Sequence, residues 1–147
     1  MRSDAMNLLD VLEGSWRATM SNAWFLEPAH QEVPGSATAS WIGDAFMLFR
    51  WTMDGDVGPA TTEMSLALGR SDASDAYAAL YHDERGTSRV YAMSFDGNRW
   101  SLLREDPDMF QRFVADVSPG RVSGRWEASD DRGASWRKDF DLVFDRV

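Results

Sequence analysis

The chain has no cysteine, and its fifteen basic residues include a single lysine, Lys138. The first absence excludes disulfides, thiolate metal sites and cysteine nucleophiles, and leaves the compartment open. The second, with a net charge of −9, removes the basic footprint that nucleic acids and anionic membranes require. The arginines are dispersed among acids and form no stripe. Histidine is also scarce: only His30 and His82 occur, and neither has a motif around it. No G-x-S-x-G is present, and the one lysine follows Arg137, so a phosphate-binding G-x-x-x-x-G-K-[ST] loop is absent as well. No apolar run approaches membrane-spanning length. The stretch Met1 to Leu12 carries Arg2, Asp4 and Asp10 and lacks the apolar centre of a signal peptide. A soluble cytoplasmic protein is the expectation.

Aromatic residues are plentiful, with seven Trp, eight Phe and three Tyr spread along 147 residues. A chain of this length suits one domain, residues 1–147, able to bury roughly two-thirds of its unfolded surface without metal or disulfide support. Asp4, Met6, Leu8, Leu9 and Leu12 have helical spacing, with Ser3 or Asp4 as N-cap and Gly14 as terminator. A short helix near 4–13 is therefore predicted. Beyond Gly14 the helical period disappears. Short runs rich in aromatic and β-branched residues follow, separated by Gly, Pro, Asp and Asn, as in a sandwich or barrel. Strands are predicted near 15–20, 24–27, 34–41, 45–53, 61–69, 76–82, 87–95, 98–105, 108–117, 121–128 and 135–145. The fold class is all-β: an antiparallel meander barrel of about ten strands.

Two turns fix registers. An Asp96-Gly97 type I′ hairpin pairs Phe95 with Asn98, Met93 with Trp100, Tyr91 with Leu102 and Arg89 with Arg104. In the last hairpin, Arg125 pairs with Asp139 and Glu127 with Arg137 on a charged outer face. Trp126, Phe140, Leu142 and Phe144 then form the inner face.

Gly14-Ser15-Trp16, at the end of the helix and the start of the first strand, resembles the G-x-W signature of lipocalin-like (calycin) barrels. Residues 81–91, Phe110-Gln111-Arg112-Phe113 and Gly124-Arg125-Trp126-Glu127 resemble small uncharacterised bacterial proteins of that group. The likeness spans roughly residues 10–147. It implies that Trp16 closes the barrel floor beneath an arginine of the last strand. Arg146 or Arg137 would serve, Arg146 sharing parity with Phe144 and Leu142. The nitrobindin branch binds heme through a histidine on a late strand. No His, Cys or Tyr follows Tyr91 here, so no cofactor is expected.

The facing arginines carry the functional expectation. Like charges directly opposite one another destabilise a ladder unless an anion lies between them. Arg89, Tyr91 and Arg104, joined by Gln111 on the next strand, would orient a ligand carboxylate or phosphate inside an aromatic barrel that includes Trp100 and Trp126. Alternatively both arginines sit at a rim, paired with Asp83, Glu84, Glu105 or Asp106. Arg50, in an otherwise apolar strand, is a second anchor or lays its stem on Trp51. No metal site is predicted. Glu63, Glu127, Asp139 and Asp141 show no shared concave site for acid–base work. The leading reading is non-enzymatic binding of a small apolar or amphipathic, anionic molecule. One alternative is a cofactor-free cyclase or isomerase using Tyr91, His82 or Glu63. The other is a filled barrel acting as a structural module or homodimer.

Overall fold

The computed structural model describes residues 2–147. A short helix α1 (Asp4–Asn7) begins at Ser3, whose hydroxyl accepts the Met6 amide at 3.2 Å. It tightens into a 3₁₀ turn over Leu8–Leu12. Ten strands follow: β1 (Gly14–Ser21), β2 (Val33–Ile42), β3 (Phe46–Met53), β4 (Glu63–Arg70), β5 (Tyr77–Asp83), β6 (Ser88–Phe95), β7 (Arg99–Glu105), β8 (Phe110–Ser118), β9 (Arg121–Ser129) and β10 (Arg137–Arg146). Each pairs antiparallel with its sequence neighbours, and β1 pairs with β10 to close the barrel. The predicted class and the N-terminal helix are therefore observed.

The predicted strand at 24–27 is a loop instead. Trp24-Phe25-Leu26 lacks alternation, and Pro28 restricts the residue before it and supplies no amide to a ladder. The segment folds on itself through Ala23 N to Ala29 O and Leu26 N to Ala23 O.

Two registers also differ from expectation. The β6–β7 hairpin turns on Gly97-Asn98, not Asp96-Gly97, so Phe95 faces Trp100 and Met93 faces Leu102. Asp96 causes this: its carboxylate accepts the amides of Asn98 and Arg99 at 2.8 and 2.7 Å, which holds Asp96 outside the turn centre. Arg89 consequently does not face Arg104. In β9–β10, Arg125 faces Asp141 and Glu127 faces Lys138, with a bulge at Asp139. The connecting loop is knotted by Asp131, which accepts from the Ser129 hydroxyl and the Ser135 amide. Glu127 takes Arg112 as its partner at 2.8 Å, and Arg137 takes Asp130. Both errors amount to two residues over the paired stretch that fixes the faces, so inward and outward faces are preserved.

The floor and the middle of the barrel are packed. Met6, Leu9 and Leu12 plug one end. Trp16 lies there, its indole N–H donating to Leu12 O at 2.9 Å, with the Arg146 guanidinium 4.2 Å over its ring. Arg146 also donates to the carbonyls of Val11, Glu13 and Pro119. The arginine cover expected of Arg146 is thus in place. Gly14 is obligatory beside it, because its φ is +128° and an added Cβ would lie 2.6 Å from Arg146 Nη1. Across the neighbouring strands, small Ala37 sits in register between Trp16 and Trp51, letting two indoles share the interior. On β9, Gly124 makes room for the Phe113 ring, which a Cβ would meet at 2.5 Å. Above the floor, Phe49, Leu66, Trp100, Leu102, Phe113 and Leu142 form a middle layer that leaves a gap of only about 10 Å³.

Candidate functional site at the barrel mouth

At the end opposite the helical plug lies a cavity of about 360 Å³. Its walls come from the mouth-side ends of the strands: Trp51 and Met64 from β3 and β4, Tyr81 from β5, Arg89 and Tyr91 from β6, Gln111 from β8, Trp126 from β9 and Phe140 from β10. Inward alternation places them: Trp51, Met64, Gln111 and Phe140 each sit one inward position above a middle-layer residue of the same strand, and Arg89 lies one inward position nearer the mouth than Tyr91. The β1–β2 loop crosses the opening. Trp24 donates its amide to Asp139 O and its indole N–H to Asp139 Oδ1 at 3.1 Å, while Asn22 bonds Asp141 at 2.7 Å. Phe25 stacks edge-on against both Trp24 and Phe140. The lip is therefore aromatic, and Trp24 remains 63% exposed on it.

Polar groups cluster on the β5, β6 and β8 wall. The Tyr91 hydroxyl donates to Gln111 Oε1 at 2.8 Å. Among the described residues Gln111 Nε2 makes no hydrogen bond, which leaves it as a donor at the cavity. Burial pushes the Tyr91 hydroxyl pKa up, opposed by the charges of Arg89 and Arg104 nearby. Tyr81, also raised by burial, to about 12, donates to Asp83 at 2.9 Å. The Asp83 side chain is wholly covered, and the Arg85 guanidinium, bonded to it at 2.6 Å, holds its carboxyl down at about 2. Arg89 differs from these neighbours. Its guanidinium lies 5.4 Å over the Tyr81 ring and beside the Tyr91 hydroxyl, and among the described residues it has no ion-pair partner.

Arg104 takes the rim alternative. It faces Gln111 in the β7–β8 register, is only 6% exposed, and is held by Asp106 and by Asp108 at 3.1 Å. One of its nitrogens, Nη1, is nevertheless buried without a partner. Of the residues expected at a site, Arg89, Tyr91, Gln111 and Trp126 line the cavity, and Arg104 stands behind the Tyr91–Gln111 pair. Trp100 belongs to the packed middle layer instead, because it lies two inward steps deeper than Arg104 on β7. Arg50 alternates outward between buried Phe49 and Trp51 and is exposed, so it is not an interior anchor. His82 and Glu63 also point outward. Asp139, expected on the outer face, reaches the lip because the bulge turns it there.

The lining also includes residues that the sequence reading did not single out: Trp24, Phe25, Thr61, Tyr81 and Arg85. Trp24-Phe25 carried a usable signal. Three consecutive bulky apolar residues before Glu27-Pro28 break the period of a strand and indicate an aromatic loop.

A closed ten-strand antiparallel barrel, plugged at one end and hollow at the other, is the class that fold and site define. The chain is similar along its whole length to the crystal structure of Rv2717c from M. tuberculosis. The TM-score is 0.66 at 13% identity, covering 100% of this chain and 99% of that one. This likeness supports the barrel fold. No protein-family model and no functionally curated protein matches the chain. No helix is long and apolar enough to cross a membrane among the described residues.

Proposed function

We propose that the protein is a non-enzymatic, lipocalin-like (calycin) binding barrel of bacterial cytoplasm that holds a small amphipathic anion in its mouth cavity. The observation that carries this reading is Arg89: a permanent cation on the wall of an aromatic cavity, with no carboxylate to neutralise it. A guanidinium in that setting favours an anionic group, which gains charge-assisted hydrogen bonds there. Gln111 Nε2 adds a neutral donor on the same wall. The volume lies near the low end of the roughly 300–1,000 Å³ typical of ligand pockets. Binding is favoured over turnover because burial raises the pKa of both wall hydroxyls, Tyr81 and Tyr91, which stay neutral and already donate to Asp83 and Gln111. A thermal-shift and native-mass screen of anionic and neutral apolar compounds tests the reading. A saturable hit whose affinity falls on Arg89→Gln supports it, and a screen with no saturable binder removes it.

A further inference from the structure

Resting on that reading, we infer that the mouth cavity selects a compact, flat aromatic carboxylate and rejects long-chain fatty acids. Two features of the barrel separate these classes. The first is depth. A tail entering from the mouth would have to pass the layer of Phe49, Leu66, Trp100, Leu102, Phe113 and Leu142, and that layer leaves about 10 Å³. Trp51 and Trp126 line both this gap and the mouth cavity, and Met64, Gln111 and Phe140 each stand just one inward position above it. Two residues of strand rise amount to roughly 7 Å, so the cavity is about one layer deep plus whatever the lip loop adds. An extended alkyl chain finds no channel there. A fused-ring acid needs only a slot of that depth.

The second feature is the chemistry of the walls. Trp51, Tyr81, Tyr91, Trp126, Phe25 and Phe140 surround the space. Tyr91 packs edge-on against Tyr81 at 5.9 Å and against Trp126 at 5.8 Å between centroids. Rings arranged in this way present both faces and edges to an inserted ring, and such pairs gain stability beyond area burial. An alkyl chain gains the burial alone. Met20, Met64 and Met109 complete the lining with adaptable thioethers.

Charge fixes the orientation. The carboxylate belongs on the Arg89–Gln111 wall, away from Asp139, whose carboxylate is already held at the lip by the Trp24 indole. Arg104 Nη1, buried and unpartnered behind Tyr91–Gln111, is a further unused donor on that same side. Arg85, Arg104 and Arg137 have acid partners. Among the described residues Arg89 is the cavity-lining arginine without an acid partner, and so the one placed to meet a carboxylate.

Three probes test this: naphthoate, its neutral counterpart naphthylmethanol, and palmitate, titrated by calorimetry and by tryptophan fluorescence. Naphthoate is expected to bind saturably. Naphthylmethanol is expected to bind at least ten-fold more weakly, and palmitate not to saturate. Arg89→Gln should weaken naphthoate at least ten-fold and leave naphthylmethanol unchanged, while Arg89→Lys restores part of the loss. Palmitate binding as tightly as naphthoate overturns the depth argument and keeps the binding barrel. Equal affinity of acid and alcohol, or no effect of Arg89→Gln with the circular-dichroism spectrum intact, overturns the carboxylate assignment alone. Failure of all three probes overturns this inference, and the binding reading falls with it only if the wider screen is also empty.

Discussion

The floor and the mouth of this barrel draw on the same residue types and finish them differently. At the floor the Trp16 indole N–H finds Leu12 O and Arg146 spreads over three carbonyls, while in the packed layer above them the Trp100 indole N–H has no partner among the described residues. Side chains from the helix fill the remaining space. At the mouth an arginine has no acid, a glutamine amide has an unused donor, and a buried guanidinium nitrogen has no acceptor. Unmatched buried polar groups are costly. A fold that spreads its floor arginine over three carbonyls and leaves its mouth arginine without an acid holds the latter for another purpose, and the cavity lies beside it.

Four substitutions would break or sharpen this contrast. The largest effect is expected at the floor: Trp16→Ala removes a large buried ring and its hydrogen bond, and should cost about 3–5 kcal/mol in denaturant unfolding. A loss below about 1 kcal/mol would mean that the floor is not the rigid end. Gly14→Ala should cost about 1–3 kcal/mol, because the left-handed φ is strained for alanine and the new methyl collides with Arg146 Nη1. Next comes the acid limb. Asp83 titrates at about 2 in the folded chain against 3.8 ordinarily. Its pairing with Arg85 therefore contributes stability that is fully present above 3.8 and lost as pH falls towards 2. Asp83→Asn should flatten that part of the melting-temperature profile, and an unchanged acid limb would contradict the assignment. The smallest change belongs to Arg89→Gln, expected to alter stability by no more than about 0.5 kcal/mol. A loss of several kcal/mol would make Arg89 a structural residue, like Arg146.

How much of this was legible in the sequence follows from the range of each interaction. Ser3 as N-cap, Gly14 before Trp16, and the parity of Arg146 with Phe144 are local or periodic features, and all three stand as read. Inward and outward faces were readable for the same reason, since a register error of two residues leaves parity unchanged. The partners themselves were not readable. Asp96 and Asp131 bind backbone amides in their own turns, and this competition shifts hairpins in ways that turn dipeptides do not announce. The Arg89–Arg104 opposition failed on that point, yet both residues remain around Tyr91 because their faces were right. The hollow mouth was hidden because a cavity depends on how far the middle layer fills the bore, a property shared by ten strands. The aromatic lip was missed when Trp24-Phe25 was assigned to a strand.

The strand order has a consequence for how the molecule comes together. Nine of the ten strand pairings join sequence neighbours, and only β1 with β10 unites the two ends of the chain. The hairpins close short loops, whereas this one seam must close a loop of nearly the whole chain, at the greatest entropic cost. It is therefore the expected last step of assembly, and the sheet waits until then with two unpaired edges that can recruit other chains. Arg146, reaching from β10 to Val11 and Glu13, lies across that seam as its clasp. Weakening it should show first as aggregation during refolding, before any change in the finished barrel.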